Sequence, residues 1–218
     1  MTPELAPTGR ETRIRPPTAM RIKSQWFREG AEKGAAEIAS AAAFIVWRVA
    51  KNALENMRRA GYGLPPGPPY FAFLAEFLAF LVAAGDRIAY LKRDAAWRVE
   101  FTTATANRVG ETLAGNEADL LGADPDAAKR RFIALVNERA TDYADHGWSE
   151  AGPEYGFIRG FGHFVSDTLP EAGDRSWAIS QVIEVEAPEA IEMLQKAMAG
   201  LLGEAPKRAR RAAGAMGE

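Results

Sequence analysis

Apolar positions recur along this chain at helical rather than strand spacing. Over residues 19–60, Ile38, Ala42, Ile45, Val49, Ala53 and Met57 fall within one arc of a wheel turning about 100° per residue, which predicts one very long helix. Trp47 and Leu54 lie near the opposite side, so the middle of this helix must meet neighbours on more than one face. Gly61, Gly63 and the run Pro65-Pro66-Gly67-Pro68-Pro69 end it.

Residues 70–93 form the most apolar segment. Tyr70, Leu74, Phe77, Leu81 and Ile88 share one face, and Ala72, Ala75, Ala79 and Ala83 share another that is small enough for close backbone approach. Between Tyr70 and Gly85 the only charge is Glu76. A helix that is apolar all round belongs in a core or a membrane. The run falls short of the ~20 residues needed to cross a bilayer and is closed by Asp86-Arg87, so a buried central helix is expected. A membrane-inserted hairpin of the first two helices is the alternative.

A third, more polar helix follows Asp94 to about residue 114, carrying Thr102, Thr103, Thr105 and Asn107; residues 116–122 read as a short turn of helix or a loop. Asp124 and Pro125 open a fourth helix as N-cap and first helical residue, with Phe132, Val136, Ala140 and Tyr143 as its buried stripe and Gly147 as its stop. Pro153 starts a fifth helix to about residue 169, Asp174 a sixth, and Ala187-Pro188 a last one with Ile191, Leu194, Met198 and Leu201 on one side. Residues 181–186 include Val182, Ile183 and Val185 and would suit a short strand. No second strand exists to pair with it, so helix is expected.

The predicted fold class is therefore all-α: an antiparallel bundle of long helices with shorter C-terminal helices packed over it. Residues 1–18, with four prolines and no periodicity, read as a disordered N-terminal arm. Residues 19–203 read as a single helical domain and residues 204–218 as a disordered basic tail.

Composition sharpens this in three ways. At 218 residues, 47% of them hydrophobic, the chain has ample material for a core. The absence of cysteine removes disulfides, zinc–thiolate sites and thiol nucleophiles. No apolar run follows the polar, arginine-bearing residues 1–17, so a cytoplasmic address is the expectation. Charge is uneven. Residues 1–23 carry five basic against two acidic side chains and residues 203–218 four against two, so a body of net −7 lies between basic ends. An acidic body is a poor nucleic-acid scaffold, because a DNA-binding face needs a dense basic patch.

Two stretches could carry chemistry or recognition. On helix four, Glu138, Asp142, Asp145 and His146 cluster, and Asp142 and His146 share a face at the spacing of two ligands for one metal. Glu76, with Glu100 or Glu111 on helix three, could complete such a site. The chain has two histidines and no Glu-x-x-His, however, which departs from the pattern of di-metal bundles. The simpler reading is a histidine interacting with the dipole at the end of its helix. Glu76 is equally open to structural pairing, with Arg48 one candidate partner.

The second stretch, residues 148–164, reads WSEAGPEYGFIRGFGHF. Phe157, Phe161 and Phe164 recur at helical spacing, which indicates core packing. Gly156, Gly160 and Gly162 imply close backbone approach or room for something bound, and the aromatics Trp148 and Tyr155 precede them. Trp148, Tyr155, Phe157 and Phe161 are thus the candidate interaction residues. His163 falls off the phenylalanine stripe and reads as a solvated surface residue.

Phosphate-binding loops, dinucleotide fingerprints and nucleophile elbows are absent, and no cofactor is implied by any motif. The surplus of apolar helix surface makes protein association the leading expectation: a scaffold or regulatory subunit whose partner is itself, as a homo-oligomer, or another protein. The alternative is a metal- or small-ligand-binding bundle, enzyme or sensor, using Glu76, Asp142 and His146 in an inter-helix pocket.

Overall fold

The computed structural model describes residues 34–169 and 174–203. The expected N-terminal arm, residues 19–33 of the long first helix, and the basic tail lie outside these. The described residues form helices α1 (Ala35–Arg59), α2 (Pro68–Tyr90), α3 (Ala95–Leu121), α4 (Pro125–Ala144), α5 (Tyr155–Ser166), α6 (Arg175–Gln181) and α7 (Ala187–Leu201). A strand pair, β1 (Trp148–Ser149) and β2 (Gly152–Pro153), sits between α4 and α5. The all-α bundle expected from the periodicity is the architecture found.

Helix starts follow local chemistry. Asp94, Asp124 and Asp174 each accept backbone N–H bonds from the first turn of the helix they cap, and Pro125 occupies a first-turn position where its missing N–H costs nothing. Gly122 ends α3 in the left-handed conformation (φ 66°), its N–H bonded to the carbonyl of Ala118.

α2 is the central rod. Phe73, Leu74, Phe77, Leu78, Phe80 and Leu81 are all essentially inaccessible, and α2 packs against α1, α3, α4, α5 and α7. α1, α2 and α3 form one triangle of helices and α2, α3 and α4 a second; α7 lies over α1 and α2, and α5 over α2. Among the described residues no helix is long and apolar enough to cross a membrane.

The structure differs from the sequence pattern in two places. α3 does not stop near residue 114 but runs unbroken to Leu121, because its buried stripe continues through Leu113, Ala114 and Glu117. Gly115 falls on the outer face with open space around it, so it interrupts nothing. Residues 148–153 form a minimal antiparallel pair, with Trp148 opposite Pro153 and Gly152 at φ 119°, so the fifth helix starts at Tyr155 rather than Pro153.

Residues 181–186 are helical as expected, but Val182–Glu186 is a π-helical turn in which Ala187 N–H reaches back five residues to the carbonyl of Val182. Pro188 cannot donate to residue 184, and its ring would crowd that carbonyl in an α-helix; a wider turn just ahead of it relieves the conflict.

The glycines of α5 also find their reason in packing. A Cβ on Gly156 would lie 2.7 Å from His146 Nδ1, and one on Gly162 would collide with the Ile183 side chain. One side of α5 thus takes the His146 ring and another the π-helical turn, each closer than any larger residue permits.

Candidate interaction site

The carboxylates and histidine that suggested a metal do not form a ligand set. Glu76 lies in the core wall, 7% exposed, and is gripped by Arg139 of α4, whose Nε and Nη2 donate to its two carboxylate oxygens at 2.9 and 2.8 Å. Arg139 Nη1 donates to Asp142 at 2.8 Å and to Glu138 at 2.9 Å, and the guanidinium lies 3.8 Å from the ring centroid of Phe164. Its hydrogen bonds to Glu76 hold the Arg139 pKa above the ordinary value, so it is a permanent cation.

A cation therefore stands where Glu76 and Asp142 converge. The His146 ring lies against Gly156 and Gly160. Among the described residues no group of three or more histidine, aspartate and glutamate side chains is placed to hold a metal ion. Glu111 pairs with Lys129 at 2.8 Å, and Glu100 and Asp145 are exposed. Arg48, an expected partner for Glu76, instead lies exposed beside the Phe44 ring, 5.7 Å from its centroid.

The aromatic segment divides. Phe157 and Phe161 are fully buried: Phe161 stacks on Phe80 (centroids 4.1 Å, 13°) and meets Phe77 edge-on, while Phe157 stacks on Tyr143 (4.3 Å, 24°). Neither is available to a partner, because both complete the core above α2. Trp148 is half-buried with its ring edge on Phe157. Tyr155 alone among the four is well exposed, at 68%, and His163 is on the surface as expected. Tyr143, held among these rings, has its phenol pKa pushed up by burial and by the nearby Glu76 carboxylate, which keeps the hydroxyl neutral.

One buried acid went unremarked in the sequence. Glu186, in the π-helical turn, is 1% exposed; its carboxylate accepts from Gln181 Nε2 at 3.1 Å and from Asn56 Nδ2 of α1 at 3.4 Å. Burial raises its pKa above the ordinary 4.5. The Gln181 and Asn56 hydrogen bonds and Arg59 oppose this, and Glu189 adds to it.

A carboxyl whose folded pKa is raised binds its proton more tightly folded than unfolded. Its contribution to stability is full below pH 4.5 and is lost as pH rises through the folded value. Glu186→Gln should therefore match wild type near pH 4 and become the more stable protein toward pH 7. The expected gain is about 1 kcal/mol, or roughly 2–4 °C in Tm at this chain length. Melting curves across that pH range check it; a gap that shrinks with rising pH contradicts the assignment.

Other large apolar side chains are also exposed, Phe44 of α1 and Leu120 of α3 among them. α1 and α3 are neighbours running in the same direction: Ala43, Phe44 and Trp47 sit level with Arg108, Glu111 and Thr112, and Leu54, Met57 and Arg58 level with Leu120 and Leu121. Their seam opens into a cavity at each end. The first, of about 400 Å³, is flanked by Phe44, which is 61% exposed. The second, of about 670 Å³, is walled by Leu54, Met57, Tyr62, Leu64, Tyr70 and Phe71 and flanked by Leu120, which is 70% exposed. Midway, Gly115 is exposed, with open space where a Cβ would stand.

Trp47 and Leu54, off the main apolar arc of the first helix, were the sequence signal for this seam, since they mark the side of α1 that turns to α3. Leu120 had no such signal, because its segment read as a turn and had no assignable face. No family model, curated protein or solved structure matches this chain.

Proposed function

We propose that this protein acts by association, as a scaffold or regulatory subunit, with the α1–α3 seam as its docking face. The observation that carries the reading is the pairing of a large, exposed apolar side chain with a cavity at both ends of one seam. Phe44 and Leu120 stay in water on the isolated chain, and removing such area from water contributes about 25 cal/mol per Å². Large apolar anchors that become buried in a partner are where interfaces concentrate their energy. A reading built on acid–base or metal chemistry has less support, since Glu76 and Asp142 are committed to Arg139 and the His146 ring to the glycine face of α5.

The test is the native size of the chain in an extract of cells that express it at ordinary level. Wild type should elute well above its 23.7 kDa mass. Phe44→Asp and Leu120→Asp should each cost about 2 kcal/mol of association, roughly 30-fold in affinity, and shift it toward the monomer. Tyr155→Asp, on a remote exposed aromatic, should not. Elution of wild type as a monomer, or equal loss from the Tyr155 variant, refutes the seam.

A further inference from the structure

We infer that a cavity between α2, α3 and α4, with Glu117 in its wall, binds a small organic cation that carries an apolar body, such as an arylalkyl amine. The first half of α2, the last turns of α3 and the first half of α4 leave about 460 Å³ between them, walled by Phe71, Ala75, Leu113, Phe132 and Leu135. A largely apolar inter-helix cavity with a few fixed polar groups is the ordinary form of a small-ligand site. This site does not depend on what covers the α1–α3 seam.

The polar groups decide the charge of the occupant. Glu117 is 8% exposed, and its Oε2 accepts from Arg131 Nη2 at 2.6 Å. Its Oε1 accepts no hydrogen bond among the described residues, yet it keeps contact with water. Thr168 Oγ1 already donates its proton to the Val165 carbonyl at 2.8 Å, so toward a ligand it can only accept. Glu76 reaches the same wall with both oxygens held by Arg139. That guanidinium serves three carboxylates, Glu76, Glu138 and Asp142, so the cluster behind the wall keeps an excess of negative charge. Phe71 and Phe132 suit a cation that carries apolar groups.

Arg131 favours an anion, but its side chain is 62% exposed, whereas that of Glu117 is 10% exposed. The arginine therefore spends its charge largely on water and the carboxylate on the cavity. Helix N-termini do not reverse this preference. α2 opens with Pro68 and Pro69, which have no N–H, and Asp124 takes the N–H groups of Asp126 and Ala127 at the start of α4. The donors that hold an anion at a helix start are thus missing or already used.

Phenylbutylamine, phenylbutanol and phenylbutyrate share one apolar body and differ in the charge of the head. Titrated into the full chain at neutral pH, the amine should bind with a Kd below about 1 mM, at least tenfold more tightly than the alcohol, and the butyrate should bind least. Glu117→Gln, of the same shape, should erase the advantage of the amine over the alcohol. Arg131→Gln, which frees the second carboxylate oxygen, should tighten the amine. Ala75→Leu narrows the cavity without touching a charge and should weaken amine and alcohol alike. Should Glu117→Gln fail to fold, the other two variants still decide. Equal binding of the three probes, or no amine binding at about 5 mM, overturns the inference. So does amine affinity that ignores Glu117→Gln or Ala75→Leu, and tightest binding of the butyrate, lost in Arg131→Gln, would make this an anion site instead.

Discussion

Arg139→Ala should destabilise the protein by about 3–5 kcal/mol, a fall in Tm on the order of 10 °C, although Arg139 lies in a helix whose outer face is solvated. The size follows from what is left behind. Glu76 sits on α2 with 7% of its surface exposed, and both its oxygens take hydrogen bonds from Arg139. A buried pair of this kind gains little over an apolar replacement, because desolvating two charges cancels most of their attraction. Removing one partner is different, since the surviving carboxylate must stay charged in the core wall or take up a proton.

Glu76→Gln in the Arg139→Ala background should therefore restore more than half of the loss, and the double replacement Glu76→Leu with Arg139→Met should lie within about 1 kcal/mol of wild type. Denaturant unfolding of the three proteins measures this. A loss below 1 kcal/mol for Arg139→Ala, or no recovery from Glu76→Gln, would show that the carboxylate has another route to solvation.

Phe161→Ala is expected to cost a similar 3–5 kcal/mol, and for a wholly apolar reason. Its ring is inaccessible, stacked on Phe80 at 4.1 Å and edge-on to Phe77 at 4.9 Å, between α5 and the central rod. Truncation leaves a hole that close-packed neighbours fill only in part. Phe161→Leu keeps most of the volume and should cost less than about 1.5 kcal/mol. Tyr155→Ala, six residues earlier on the same helix but 68% exposed, should stay within about 0.5 kcal/mol of wild type. Were Phe161→Ala as mild as Tyr155→Ala, α5 would not be seated on α2 as described.

These expectations separate two kinds of sequence signal. Phe157 and Phe161 recur at helical spacing, and that spacing correctly marks a buried stripe. The glycines and loop aromatics beside them suggested a surface for partners, yet Gly156 and Gly162 serve His146 and Ile183 of the same chain. Glycine density reports close approach but not what approaches. Glu76 shows the same limit: an acid in an apolar helix needs a partner, and nothing local distinguishes Arg48 on the preceding helix from Arg139, 63 residues away.

By itself the sequence determined that this is a bundle of helices around residues 70–93, where most helices start and stop, and that α2 is shielded on nearly every side. Those properties depend on periodicity, capping and composition, which act within a few residues. Only the tertiary structure decided that Arg139 rather than a metal meets Glu76 and Asp142, that Phe157 and Phe161 point inward, and that Phe44 and Leu120 flank one seam. Each of these depends on which distant helix lies alongside, and the same helical pattern is compatible with many neighbours until the whole bundle has packed.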